Sequence, residues 1–187
     1  MIMKKMFLVL FAVSSLIAKG QSIFDSYANN EEVSYISINP KMFEMLGKMS
    51  VSTSDPEAEE YLKMVQSISN FKVLISANVS ISDEMFQWVE GQVQEKDLEE
   101  LMTVRDNESD IHFYVKESNR ENFVEQLLMF VYDKSGDKKV VIGGKGIESV
   151  LMLLEGNIDL NQISKLTEKM ALPGGEHLKK AGKNNSL

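Results

Sequence analysis

The chain has 187 residues, 43% of them apolar, no cysteine, and a formal charge of −8 at pH 7. That length suits one domain with a real core, while the missing thiol excludes disulfides, thiolate metal sites and cysteine nucleophiles together. Acidity of this size repels phosphate backbones and excludes nucleic acid as a favoured partner.

Residues 1–20 read as a signal peptide. Lys4 and Lys5 form a positive start, and the apolar run Met6–Ala18 is too short to span a bilayer as a helix. Ala18 and Gly20 then place small residues at the minus-three and minus-one positions of a cut before Gln21. No cysteine follows the run, so a lipoprotein anchor is not expected. Loss of Lys4, Lys5 and Lys19, with no acid among them, takes the charge from −8 to −11. The expected product is a Sec-exported, periplasmic or extracellular protein with no transmembrane segment after cleavage. It comprises one domain over residues 21–173 and a polar, disordered tail over residues 174–187.

In chain order, Ile23, Phe24 and Tyr27 are spaced as a short amphipathic helical turn. Glu32–Ile38 alternates polar and apolar residues, which predicts a half-buried strand ended by Asn39-Pro40. Lys41–Ser50 reads as a helix with Met42, Met45, Leu46 and Met49 on its buried face. Asp55-Pro56 opens the next helix with a cap and an N1 proline, followed by acids that suit the helix dipole. Its buried face is Tyr61, Leu62, Val65 and Ile68, and Phe71–Ser76 is apolar enough for a central strand. Ser82-Asp83-Glu84 opens a longer helix through about Glu100, with Met85, Phe86, Val89 and Val93 inward and Gly91 as a weak point.

The second half changes character. Leu101–Val104, Ile111–Val115, Val124–Tyr132, Val140–Ile142 and Val150–Leu154 are apolar runs of strand length separated by turn formers. They predict a β-meander, and Ile158 to Met170 a closing turn or helix. The order of elements predicts an α+β fold: a largely antiparallel sheet, its meander in the C-terminal half, with helices packed on one face.

Motifs that could carry chemistry fail in turn. Asp106–Asp110 with Glu117 resembles a calcium loop, but Ile111 stands where the sharp turn needs glycine. A hairpin with solvated acids accounts for it. Met42, Met45 and Met49 could offer thioethers to Cu(I), yet they share a face with Leu46 and suit a core better. Gly143-Gly144-Lys145-Gly146 lacks the spacing of a phosphate loop or dinucleotide fingerprint and reads as a turn between strands. His112 and His177 have no companion nucleophile motif. Glu31-Glu32 and Glu99-Glu100 look like solvated faces. No catalytic, cofactor-binding or metal-ligating residue is assigned, and no cofactor is expected.

The signal peptide ending before Gln21, the Leu98–Met102 run, Asp110–Val115 and Leu151–Leu160 together resemble the domain of unknown function 4252 family. These are small exported proteins found mainly in Bacteroidota, and the likeness extends over most of Ile23–Met170. The resemblance implies an envelope or periplasmic protein with no established activity and no catalytic residues to carry over. The expected role is therefore non-enzymatic, exerted through contacts with another envelope protein. The alternatives are a small-molecule or lipid-binding module, favoured by an apolar pocket, and an envelope hydrolase using paired carboxylates.

Overall fold

The computed structural model describes residues 22–49, 56–105, 109–133, 141–142 and 145–160. The signal segment, the Gly143-Gly144 turn, the proposed closing helix beyond Leu160 and the tail lie outside the described residues. The elements are α1 (Ile23–Tyr27), β1 (Val33–Ile38), α2 (Pro40–Met49), α3 (Pro56–Gln66), β2 (Ile68–Ser76) and α4 (Val79–Lys96), then β3 (Glu99–Arg105), β4 (Ser109–Glu117), β5 (Phe123–Asp133), β6 (Val141–Ile142), β7 (Lys145–Gly146) and β8 (Ser149–Asp159).

Six strands form one sheet in the order β1-β2-β8-β5-β4-β3, and every neighbouring pair is antiparallel. The meander is present as β3, β4, β5 and β8, with β6 and β7 standing apart as a small hairpin. β8 closes the meander and also pairs with β2, so the two halves of the chain join along its two edges. The α+β class and the antiparallel sheet follow the sequence expectation.

The helices are placed differently from that expectation: they pack on both faces, not one. On one face α1 and α4 supply Ile23, Phe24, Ile81, Met85 and Val89 against Leu74, Leu128, Phe130, Leu151 and Leu153. On the other, α2 and α3 supply Phe43, Met64 and Val65 against a cluster that includes Phe71, Val73, Phe113, Met129 and Met152. The physical reason lies in the strands. Gln126–Val131 and Ser149–Leu154 are buried at every residue, and a strand that is apolar on both sides must be covered on both.

Several local expectations change with it. Met42 is 50% exposed and Met45 52%, with Leu46 exposed too, while Phe43 is the residue of α2 that enters the core. Periodicity identifies residues that share a helix face but not which way that face points. Phe86 is likewise exposed at its rim, although its ring lies 5.8 Å from that of Phe130. Ile68 and Ile158 are strand residues, not parts of a helix and a closing turn. The described side chains do not include Met49 or Tyr61.

α4 starts three residues earlier than its Ser82 signal. The Asn78 side-chain oxygen accepts from Ser80 N–H at 2.9 Å and Ile81 N–H at 3.4 Å, which caps the helix. Ser82 Oγ then meets Ser149 Oγ at 2.7 Å in the core and pins this end of α4 to β8. At its other end Asp97 adopts a left-handed conformation, φ 54°, and its N–H bonds to Val93 C=O.

Gly91 and Gly156 make opposite predictions. No atom lies within 4 Å of a Cβ built on Gly91, so α4 runs through it unbroken. Gly91→Ala is expected to raise stability by about 1 kcal/mol through helix propensity. Gly156 has φ +149°, and a Cβ there would sit 2.2 Å from Ser67 O and 2.9 Å from Ile68 Cα, backbone atoms of the bulged β2–β8 register. Gly156→Ala is expected to cost about 3 kcal/mol. Denaturant melts of the two variants against the parent check both signs.

Candidate functional site

One open cavity of about 460 Å³ lies where the β4–β5 turn meets the start of β3, bordered by Glu99, Glu100, Glu117, Arg120 and Glu121. The turn is held locally: Ser118 N–H donates to Phe123 C=O at 3.2 Å, and Asn122 takes a left-handed φ of 62°. Arg120 lies over the Phe123 ring with its guanidinium carbon 3.8 Å from the centroid. Four carboxylates against one guanidinium give the cavity a negative field that attracts cations. Its rim of charges stands over an apolar floor that includes Leu101, Val115, Val124 and Leu160.

A second meeting of acids was not visible in the sequence. Asp133 and Glu148 are both buried at one end of β5 and β8, where Asp133 N–H donates to Glu148 C=O at 2.8 Å. Beside them, burial first and then the Glu148 and Asp83 carboxylates raise the Tyr132 phenol above its usual value. Asp133 and Glu148 are separated in sequence by the meander's long connection, and only the β5–β8 register brings them together.

Asp110 and Glu117 are on β4, and Arg105 Nε reaches Asp110 Oδ1 at 2.9 Å across the β3–β4 pair. That is the hairpin expected in place of a calcium loop. His112 points to the α4 side of the sheet, with Nδ1 3.1 Å from Thr103 Oγ1 and its ring stacked on Tyr114 at 6.0 Å. Burial, then Glu100 and Glu90, raise the Tyr114 phenol. His177 lies outside the described residues. Glu31 and Glu32 are exposed in the turn before β1, and Glu99 and Glu100 are exposed at the start of β3. Among the described residues no group of three or more His, Asp or Glu side chains could hold a metal ion, and no helix is long and apolar enough to cross a membrane.

The two sheet edges form the other candidate surface, and they differ. β3 carries Glu99, Glu100 and Arg105 and is bulged between Glu100 and Met102. Both features discourage an additional strand. β1, Val-Ser-Tyr-Ile-Ser-Ile, has no charge, no proline and an unbroken register with β2. Its expected alternation breaks at Tyr35-Ile36. Val33 and Tyr35 pack toward α1 and α4, whereas Ile38 packs toward the opposite cluster and Ile36, on that side, is 43% exposed. Ile36 thus joins Met42, Met45 and Leu46 of the adjoining α2 as exposed apolar surface on one side of the sheet. The sequence signal was available: two apolar residues in succession within an uncharged strand.

α1 is tied to α4 close to this edge. Tyr27 donates its hydroxyl to Glu84, and Asn78 Nδ2 donates to Glu32 Oε1 at 3.4 Å. Burial, reinforced by the Glu84 hydrogen bond and the charges of Glu84 and Glu32, raises the Tyr27 phenol to about 12. A phenol whose pKa is higher folded than unfolded stabilises the fold below its unfolded value near 10. That contribution is lost as pH rises from there through 12. Tyr27→Phe is expected to remove a late-titrating phenolate from the ultraviolet titration and to flatten the fall in stability over that window. An unchanged titration would contradict the clamp.

Comparison with known proteins gives one match. The family described as Domain of unknown function (DUF4252) matches residues 27–166, from the end of α1 to beyond β8. No curated protein and no solved structure matches the chain. The matched span takes in the whole six-stranded sheet, and the chain belongs to the DUF4252 family.

Proposed function

We propose that this chain is an exported, non-enzymatic domain of the cell envelope that works through contacts with a protein of the same compartment, and that β1 is the strand it presents. Export is supported by the signal-peptide pattern of residues 1–20. The observation that carries the contact reading is the contrast between the edges. β3 is charged and bulged, while β1 is uncharged, regular and bordered by exposed Ile36, Met42, Met45 and Leu46. An unpaired strand edge offers a row of backbone donors and acceptors, and strand addition is a recurrent way of recognising a partner. The cavity beside β3 is open to solvent and carries four carboxylates among its lining, which suits an apolar ligand less well than an enclosed apolar pocket would.

The test is site-specific photocrosslinking in cells that express the full chain. A crosslinker at Ser37, on β1, is expected to give discrete protein adducts from the envelope fraction. The same group at Thr103, on β3, is expected to give far fewer. Equal yields at the two edges, or none at Ser37, would contradict the proposal.

A further inference from the structure

We infer that the partner strand of β1 is β1 of a second copy, paired antiparallel about a two-fold axis beside Ile36. This inference rests on the reading of β1 as a contact strand and names what it contacts.

Val33 N–H donates to Asn30 C=O at 3.2 Å, and Ser76 C=O accepts from Glu148 N–H at 2.8 Å. Val33 and Ser76 stand opposite each other, so this pair directs its main-chain groups away from the β1–β2 ladder. Bonded and non-bonded pairs alternate along an antiparallel ladder. Ser34, Ile36 and Ile38 therefore bond to β2, while Tyr35 and Ser37 turn their N–H and C=O to the open edge.

Two copies related by a two-fold axis can bond only through these outward residues, which restricts how the strands align. Centring on Tyr35 would pair Ser37 with Val33, whose N–H is already given to Asn30 C=O, and centring on Ser37 would leave only Ile36–Ile38 of the strand paired. Pairing Tyr35 of one copy with Ser37 of the other sets Ile36 against Ile36 at the closely spaced, non-bonded position. Within that register the paired segment Ser34–Ile38 carries no charge, so the ladder sets no like charges face to face.

An axis perpendicular to the sheet keeps each face on its own side. Ile36 lies on the side of the cluster that Phe43 of α2 enters. Both α2 helices, with exposed Met42, Met45 and Leu46, thus stand on the same side of the joined sheet. Two-fold contacts of this self-complementary kind are the commonest in homo-oligomers. The net charge, −8 for the full chain and −11 without residues 1–20, opposes association at long range, and physiological salt screens it beyond about 8 Å.

Sedimentation of the purified protein at physiological ionic strength, over a wide concentration range, tests the inference. A monomer–dimer equilibrium is expected. Ile36→Lys places two ammonium groups side by side and is expected to raise the dimer Kd roughly tenfold or more. Ser37→Pro removes an outward N–H without touching the β1–β2 ladder and is expected to do the same. Circular dichroism melts identify any variant that fails to fold. Ile36→Cys in this cysteine-free chain is expected to form a disulfide between copies under mild oxidation, a response specific to this register. A monomer at every concentration, or a dimer indifferent to Ile36→Lys, overturns the inference. If the protein is monomeric yet Ser37 still crosslinks to a different protein, pairing of copies falls and the contact reading stands. If neither is seen, both fall.

Discussion

The structure depends on one strand. β8 arrives last among the sheet strands and lies between β2 and β5, pairing with both. Its backbone is satisfied on two sides, and its residues from Ser149 to Leu154 are buried on both faces. Such a strand cannot be left bare on either face, because each exposed Leu or Val side chain would forgo about 1.5–3 kcal/mol of burial. Cover by helices on both sides is the consequence. α1 and α4 lie over Leu151 and Leu153, while Phe43, Met64 and Val65 of α2 and α3 join the cluster of Val150, Met152 and Leu154. The pairing also joins distant parts of the chain, a topology that makes folding slow relative to one built from local contacts.

Placing β8 in the middle leaves β1 and β3 at the margins, and the sequence treats the two margins differently. β3 is protected by its charges, its bulge and the Arg105–Asp110 pair. β1 has none of these devices, and the helix that follows it exposes its methionines instead of burying them. An edge left regular and apolar would be a liability in a protein without use for it. The functional reading follows from that asymmetry.

Much of this was legible in the sequence, for identifiable reasons. The meander was announced by turn formers between apolar runs, and the Arg105–Asp110 hairpin by the strand alternation at Ile111, Phe113 and Val115. Helix cover on both faces is signalled by the unbroken apolar run Leu127–Val131, but a continuous apolar run does not say which elements cover its second face. Met42, Met45 and Leu46 showed that they share a face, but only packing decided that Phe43 would be the inward residue. The cavity acids Glu99, Glu100, Glu117 and Glu121, and the buried pair Asp133 and Glu148, are brought together by register across strands, which residue spacing does not encode.

The most direct test of the account is residue-resolved hydrogen exchange of the monomeric protein. If β8 organises the sheet, amides from Val150 to Leu154 and their neighbours on β5 should exchange only through global unfolding, with free energies equal to the stability found by denaturant melts. The outward amides of Tyr35 and Ser37 should exchange far faster, through local opening. Exchange of β8 as early as the edge strands would contradict the account, because it would mean that the two halves of the sheet are held together by something other than β8.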